Sequence, residues 1–199
     1  MIVIVNYDMG NLRSVEKALN HLNLENKISD KKSDIENSSG IILPGVGSFE
    51  QGMKNLNKKG LTHLLKNEVL LKKKPFLGIC LGMQLIMEIG FEPRKNKGLG
   101  WIKGEVIPIK NKVLPVPHLG WNNIYKTKES ISDTIDKNFY FIHSYHVKPN
   151  EKLEMMFTDY EYPMVASIRK ENIFDTQWNE FLIVLSLSEY IHRMRNIYW

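Results

Sequence analysis

The chain has 199 residues, of which 43% are hydrophobic and 25% charged, with a formal net charge of +5. That size and balance describe one globular domain over residues 1–199, long enough to bury a core, and they exclude a disordered or fibrous chain. One cysteine excludes an intrachain disulfide and fits a reducing, cytoplasmic setting. No apolar run approaches a membrane span, and the first residues lack the basic lead of a signal peptide. The lysines are scattered and no aromatic-basic motif accompanies them, so neither nucleic acid nor membrane is expected as a partner.

Residues 2–6 read as a short buried strand. Over 11–22, Leu12, Val15, Leu19 and Leu22 recur at helical spacing. Residues 40–45 form a second apolar run ending in a turn, and 49–71 is helical in period with a break at Lys59-Gly60. Residues 75–80 are a third strand, and 81–89 a helix. Strands alternating with helices predict right-handed crossovers and a mostly parallel sheet covered on both faces. In such a sheet the site lies beyond the carboxyl ends of the strands, where the loops 6–11, 44–49 and 78–84 converge. The second half carries short alternating runs at 98–109, 113–116, 139–143, 153–159, 164–169 and 173–177, read as added antiparallel strands. The run 181–188 is continuously apolar, and periodicity leaves it open between a buried terminal helix and an interface segment.

Cys80 sits in Gly78-Ile79-Cys80-Leu81-Gly82-Met83-Gln84, between an apolar strand and a helix-like segment. A nucleophile on a sharp strand-to-helix turn needs small neighbours, because the backbone is strained and the side chain must stand clear. Amides at the start of the following helix favour the thiolate. Pro44-Gly45-Val46-Gly47-Ser48 follows a strand directly, and its glycines allow a peptide N–H to face the cleft, as an oxyanion hole requires. A thiol nucleophile also needs a base. His21 and His63 fall on helix faces and read as surface residues; His118, in the tight loop Pro117-His118-Leu119-Gly120-Trp121, reads as structural or interfacial; His143 and His146 flank Ser144-Tyr145 at a strand end. No metal-ligand spacing is present, and no cofactor is called for.

These motifs together closely resemble the class I glutamine amidotransferases, and among them the glutaminase subunits of imidazole glycerol phosphate synthase. The likeness runs from Ile2 to about Gln177. It includes Asn6-Tyr7-Asp8-Met9-Gly10-Asn11-Leu12-Arg13-Ser14, Leu43-Pro44-Gly45-Val46-Gly47-Ser48-Phe49, the cysteine elbow, Lys97-Gly98-Leu99-Gly100-Trp101, Pro117-His118-Leu119-Gly120-Trp121-Asn122 and Phe141-Ile142-His143-Ser144-Tyr145. The resemblance implies a flavodoxin-like α/β fold with flanking helices. It implies that Cys80 attacks the carboxamide of glutamine, releases ammonia and leaves a thioester for water. It gives Val46, Gly47 and Leu81 to the oxyanion hole, and Gln84, Glu92, Ser144 and Tyr145 to the glutamine pocket. It also implies a heterodimer with a (β/α)8-barrel cyclase, with Asn11, Arg13 and Trp121 at the interface. The ammonia would be channelled to that subunit, which makes imidazole glycerol phosphate and an aminoimidazole carboxamide ribotide in histidine biosynthesis.

The chain departs from the family in two places. The family's Q-F-H-P-E-K-S is met here by Gln177-Trp178-Asn179-Glu180-Phe181, so Asn179 stands at the histidine position, and Glu180 matches the triad glutamate only with one residue deleted. Asparagine cannot accept the thiol proton as imidazole does. Three readings stay open: a divergent or shifted tail after about residue 178, a paralogue that is a glutaminase-impaired scaffold, or another base, His146 first and His192 next. A paralogue that amidates a cell-surface sugar is a further alternative. The second departure is Asp8, which replaces a common glycine in the first loop; it reads either as altered docking or as a tolerated turn substitution.

Overall fold

In the computed structural model, which describes residues 1–126 and 135–178, a seven-stranded sheet carries the molecule. Its order is β11 (Glu154–Tyr160), β12 (Tyr162–Lys170), β13 (Ile173–Thr176), β4 (Phe76–Cys80), β3 (Gly40–Gly45), β1 (Ile2–Val5) and β2 (Asn26–Ser29). From β13 to β2 the pairings are parallel; β11 and β12 add antiparallel strands. β1, β3 and β4 are buried along their whole length, as strands covered on both faces must be, and each is a run without a charged or polar side chain.

Helix α1 (Leu12–His21) covers one face. Its Val15, Ala18 and Leu19 pack with Ile2, Ile4, Ile42, Leu77 and Ile79. On the other face lie α2 (Lys32–Asn37), α3 (Phe49–Lys58), α4 (Leu61–Lys66), which runs into a wider turn at Asn67–Leu71, and the short α5 (Leu81–Leu85). The break between α3 and α4 falls at Lys59-Gly60, where Gly60 takes the left-handed conformation, φ 68°. A second sheet, β10 (Tyr145–Pro149), β7 (Ile102–Pro108), β5 (Met87–Gly90) and β6 (Asn96–Lys97), closes over α5. A hairpin of β8 (His118–Ile124) and β9 (Ile135–His143) packs through Ile124, Phe139 and Phe141 against Ala166 and Trp178.

The structure corrects four expectations. The helix expected over 81–89 ends at Leu85, and the chain re-enters as β5, pairing Met87 with Ile102. The loop at Gly98-Leu99-Gly100-Trp101 explains the change: its amides donate to the carbonyls of Glu88, Leu85, Met87 and Ile86 and so stop the helix. The same loop shortens the strand expected at 98–109 to Ile102–Pro108. Residues 113–116 form no strand; Val113, Leu114 and Val116 are exposed, and Pro115 and Pro117 supply no amide for a ladder. Instead Glu161 accepts from the amides of Lys112, Val113 and Leu114. His118, read as part of a tight loop, opens β8 and pairs with His143. The apolar run 181–188 lies outside the described residues.

Candidate active site

Cys80 is the last residue of β4 and the cap of α5, with φ 53° and ψ −106°. A non-glycine residue in this region is strained, and the surroundings hold it there. They can do so because Gly78 and Gly82, two residues away on either side, have no side chains. A Cβ on Gly82 would overlap the carbonyl oxygen of Leu43, and one on Gly78 would overlap Oδ1 of Asp175. The strand-to-helix elbow therefore packs backbone to backbone against β3.

The three loops converge as expected. The space beside Gly45 is filled by the Tyr7 hydroxyl from the first loop and by Leu81 from the elbow, and a Cβ on Gly10 would lie 3.1 Å from Cα of Gly45. Gly47, at φ 106°, sits against Met9. Val46 and Gly47 are exposed at the rim, while Leu81 and Gln84 are buried behind it. Gln84 Nε2 donates to the Tyr145 carbonyl at 3.1 Å and to Gln177 Oε1 at 3.3 Å, and Gln177 Nε2 donates to Cys80 Sγ at 3.8 Å. A donor aimed at sulfur favours the thiolate. Gln177 is the residue that sequence reasoning left without a role. Its only signal is its place just past the end of β13, two residues beyond Asp175.

Glu92 lies farther along, with its carboxylate at the start of α3, where it accepts from the Phe49 amide at 3.0 Å. Burial pushes its carboxyl up, and that hydrogen bond pulls it back. Ser144 sits at the corner between β9 and β10, and its carbonyl accepts from the Ile109 amide. Asp175 is fully buried, directly across from Gly78 in the β13–β4 pairing, and its Oδ1 accepts from the Gly78 amide at 3.1 Å. Burial raises its carboxyl well above the ordinary range, against the Gly78 hydrogen bond. Asn179, Glu180 and His192 lie outside the described residues.

The histidines separate as their surroundings dictate. His21 and His63 are exposed. His146 is buried on β10 and faces the Tyr162 hydroxyl, 3.4 Å from its Nε2. His118 Nδ1 and His143 Nε2 are 3.1 Å apart, and His143 Nδ1 lies 2.9 Å from the Tyr145 carbonyl. His118 is stacked between Phe141 and Tyr160, and burial lowers its pKa to about 4. Burial lowers His143 to about 3, with the Tyr145 hydrogen bond opposing and His118 and His146 adding to the effect. Both ring nitrogens of His143 are thus engaged away from the thiol.

Two surfaces hold the remaining named residues. Arg13, on the exposed side of α1, pairs with Glu16 at 2.6 Å, and Asn11 immediately precedes that helix, its carbonyl accepting from the Ser14 amide. Trp121 is 58% exposed on β8 and stands edge-on to Tyr140. Asp8 adopts φ 62° and is held by Lys59, 2.9 Å away, which also reaches Asp30 and the Asn6 carbonyl. That pairing gives the residue a local structural partner.

Comparison with known proteins identifies the family. The class I glutamine amidotransferase model matches residues 3–178. A Campylobacter jejuni (strain RM1221) protein named imidazole glycerol phosphate synthase subunit HisH 1 is 42% identical over 183 residues, covering 90% of this chain and 91% of its own. A Vibrio vulnificus (strain YJ016) protein named imidazole glycerol phosphate synthase subunit HisH 2 is 44% identical, over 89% of this chain and 86% of its own. Among solved structures, a crystal structure of a glutamine amidotransferase superposes with a TM-score of 0.75 at 17% identity, covering 99% of this chain and all of that one. The structure of PurLQS from Thermotoga maritima superposes with a TM-score of 0.71 at 15% identity, over 98% and 97% of the two chains. These two likenesses concern the fold, whereas the sequence relatives reach further: the chain belongs to the class I glutamine amidotransferases, alongside the HisH subunits of imidazole glycerol phosphate synthase.

Proposed function

We propose that this chain is the glutaminase subunit of an imidazole glycerol phosphate synthase, with Cys80 as its nucleophile. The observation that carries the reading is the strained conformation of Cys80 on an elbow framed by Gly78 and Gly82, with the Gln177 amide on its sulfur. Cys80 Sγ attacks the carboxamide carbon of glutamine; the carbonyl oxygen takes the developing charge at the amides around Val46, Gly47 and Leu81. The C–N bond then breaks as the nitrogen takes up a proton and leaves as ammonia, and water cleaves the thioester to glutamate. Gln84, Glu92, Ser144 and Tyr145 hold the substrate, and Gln84 Oε1, which takes no part in the two bonds of its amide nitrogen, can accept from it. A cyclase subunit of (β/α)8-barrel form receives the ammonia inside a heterodimer, with Asn11, Arg13 and Trp121 on the side that meets it. Enclosed transfer suits the chemistry, because free ammonia is protonated in water. The reduced thiol fits a cytoplasmic enzyme.

Asn179 supports a second reading, that of a glutaminase-impaired subunit retained for its partner. The test measures ammonia release from glutamine by the complex with saturating cyclase. The glutaminase reading expects hydrolysis that Cys80→Ala abolishes. It also expects Asn179→His, with Glu180 as the acid of the triad, to raise kcat by about 10²-fold, the scale of a restored general base. Hydrolysis no higher than that of Cys80→Ala, with the complex intact, would establish the impaired reading instead.

A further inference from the structure

We propose that His143 is a positioning residue for the Cys80 thiol, acting through a hydrogen-bond chain that ties the β8–β9 hairpin to the nucleophile. The chain runs His118, His143, the Tyr145 carbonyl, Gln84, Gln177 and Cys80, with heavy-atom separations of 3.1, 2.9, 3.1, 3.3 and 3.8 Å. Every member but Tyr145 and the corner beside it is buried.

The direction of each bond follows from donor capacity. A carbonyl only accepts, so His143 carries its proton on Nδ1. Its burial keeps the ring neutral, leaving Nε2 as an acceptor, so His118 Nδ1 is the donor. The Tyr145 oxygen takes one N–H from His143 and one from Gln84, filling both of its lone pairs. The amide nitrogen of Gln84 spends its second hydrogen on Gln177 Oε1. That bond fixes which end of the Gln177 amide faces the thiol. With Oε1 held by Gln84, Nε2 must point at sulfur; the reversed amide would put an oxygen lone pair on the thiolate and oppose it.

His143 matters because it closes the corner at Ser144. Its ring, fixed on β9, sets where the Tyr145 carbonyl of β10 points, and that carbonyl orients Gln84. The two donors that meet at Tyr145 also mean that no proton can pass along the chain. It transmits position, not charge. The ladder pair adjacent to His118 and His143 is Leu119 with Ile142, both exposed, so a load on that surface acts one residue from the start of the chain.

The test follows alkylation of Cys80, the chain's single cysteine, by iodoacetamide in the full-length protein without glutamine or partner. It therefore stands apart from the glutaminase assay: lost hydrolysis with unchanged alkylation would count against the activity, not against this chain. Gln177→Leu is expected to slow alkylation at pH 7 about tenfold and to raise the thiol midpoint by about one unit. His143→Phe is expected to slow it at least about threefold with a midpoint shift of the same sign. His143→Asn, whose side-chain N–H reaches toward the Tyr145 carbonyl, recovers the midpoint. The double variant His143→Phe with Gln177→Leu is no slower than Gln177→Leu alone, because both act through one contact. If His143→Phe does not fold, Gln84→Leu carries the same expectation. A wild-type rate and midpoint in the folded His143→Phe or Gln84→Leu variant, or additive effects in the double variant, would overturn the proposal.

Discussion

Replacing Asp175 with asparagine isolates the pH dependence that this buried acid gives to the fold. The carboxyl is wholly enclosed, with Oδ1 on the Gly78 amide and Oδ2 without a hydrogen-bond partner among the described residues. Its folded pKa therefore stands well above the 3.8 of the open chain, with burial as the cause. Between those two values the native state holds a proton that the unfolded state has released. The unfolded state then binds fewer protons, so stability falls as pH rises, from about pH 4 up to the folded pKa. One such group sets a slope of at most about 1.4 kcal/mol per pH unit. For a chain of this size that is a loss of roughly 3–6 °C in Tm per unit. Asp175→Asn keeps an oxygen for the Gly78 amide and fills the same space, but cannot ionise. Thermal unfolding of both proteins in parallel buffers from pH 5 to 8 reads the effect. The Tm of the variant minus that of the parent should grow with pH up to the folded pKa of Asp175 and level off above it, since contributions from other groups cancel in the difference. A difference constant within about 1 °C across that range would refute the reasoning, because it would mean that Asp175 titrates alike in both states.

The His118–His143 pair tilts stability the other way. Folded values near 4 and 3 lie below the ordinary 6.5, so the neutral pair contributes stability above pH 6.5 that is lost as pH falls toward 4. His118→Phe retains the stacking between Phe141 and Tyr160 but removes one titrating ring. It should cost about 1–3 kcal/mol at pH 7, by leaving His143 Nε2 without a donor, and should make the acid loss of Tm between pH 6.5 and 5 shallower. A variant whose acid profile parallels the parent would refute the assignment. Gly82→Ala sets a Cβ against the Leu43 carbonyl, a backbone atom that cannot step aside. It should destabilise by more than about 4 kcal/mol or prevent folding, as read by urea unfolding; a loss below about 1 kcal/mol would show that the elbow tolerates a side chain.

The elements legible in the sequence are those whose pattern is contiguous. β1, β3 and β4 are contiguous runs without a charged or polar side chain, and α1 repeats Leu12, Val15 and Leu19 at helical spacing. β2 escaped because it is a polar edge strand, Asn26-Lys27-Ile28-Ser29, with only Ser29 buried. β5 escaped because residues 81–87 are all buried, so their apolar run has no period to separate a helix from a strand. The nucleophile follows the same rule: Cys80 stands out because Gly78 and Gly82 flank it in sequence, whereas the pairing of β13 with β4 is what sets Asp175 against Gly78 and brings Gln177, one residue past the strand, to the sulfur. Asp175 makes the point most sharply. A carboxyl in an inner strand contradicts every local preference, and it fits only because the residue across from it is Gly78, which has no side chain to occupy that space. The glycine that keeps the elbow clear for Cys80 thus also makes room for an acid beneath it. Any larger residue at 78 would have to expel the Asp175 carboxyl and disturb the strand end that carries the thiol.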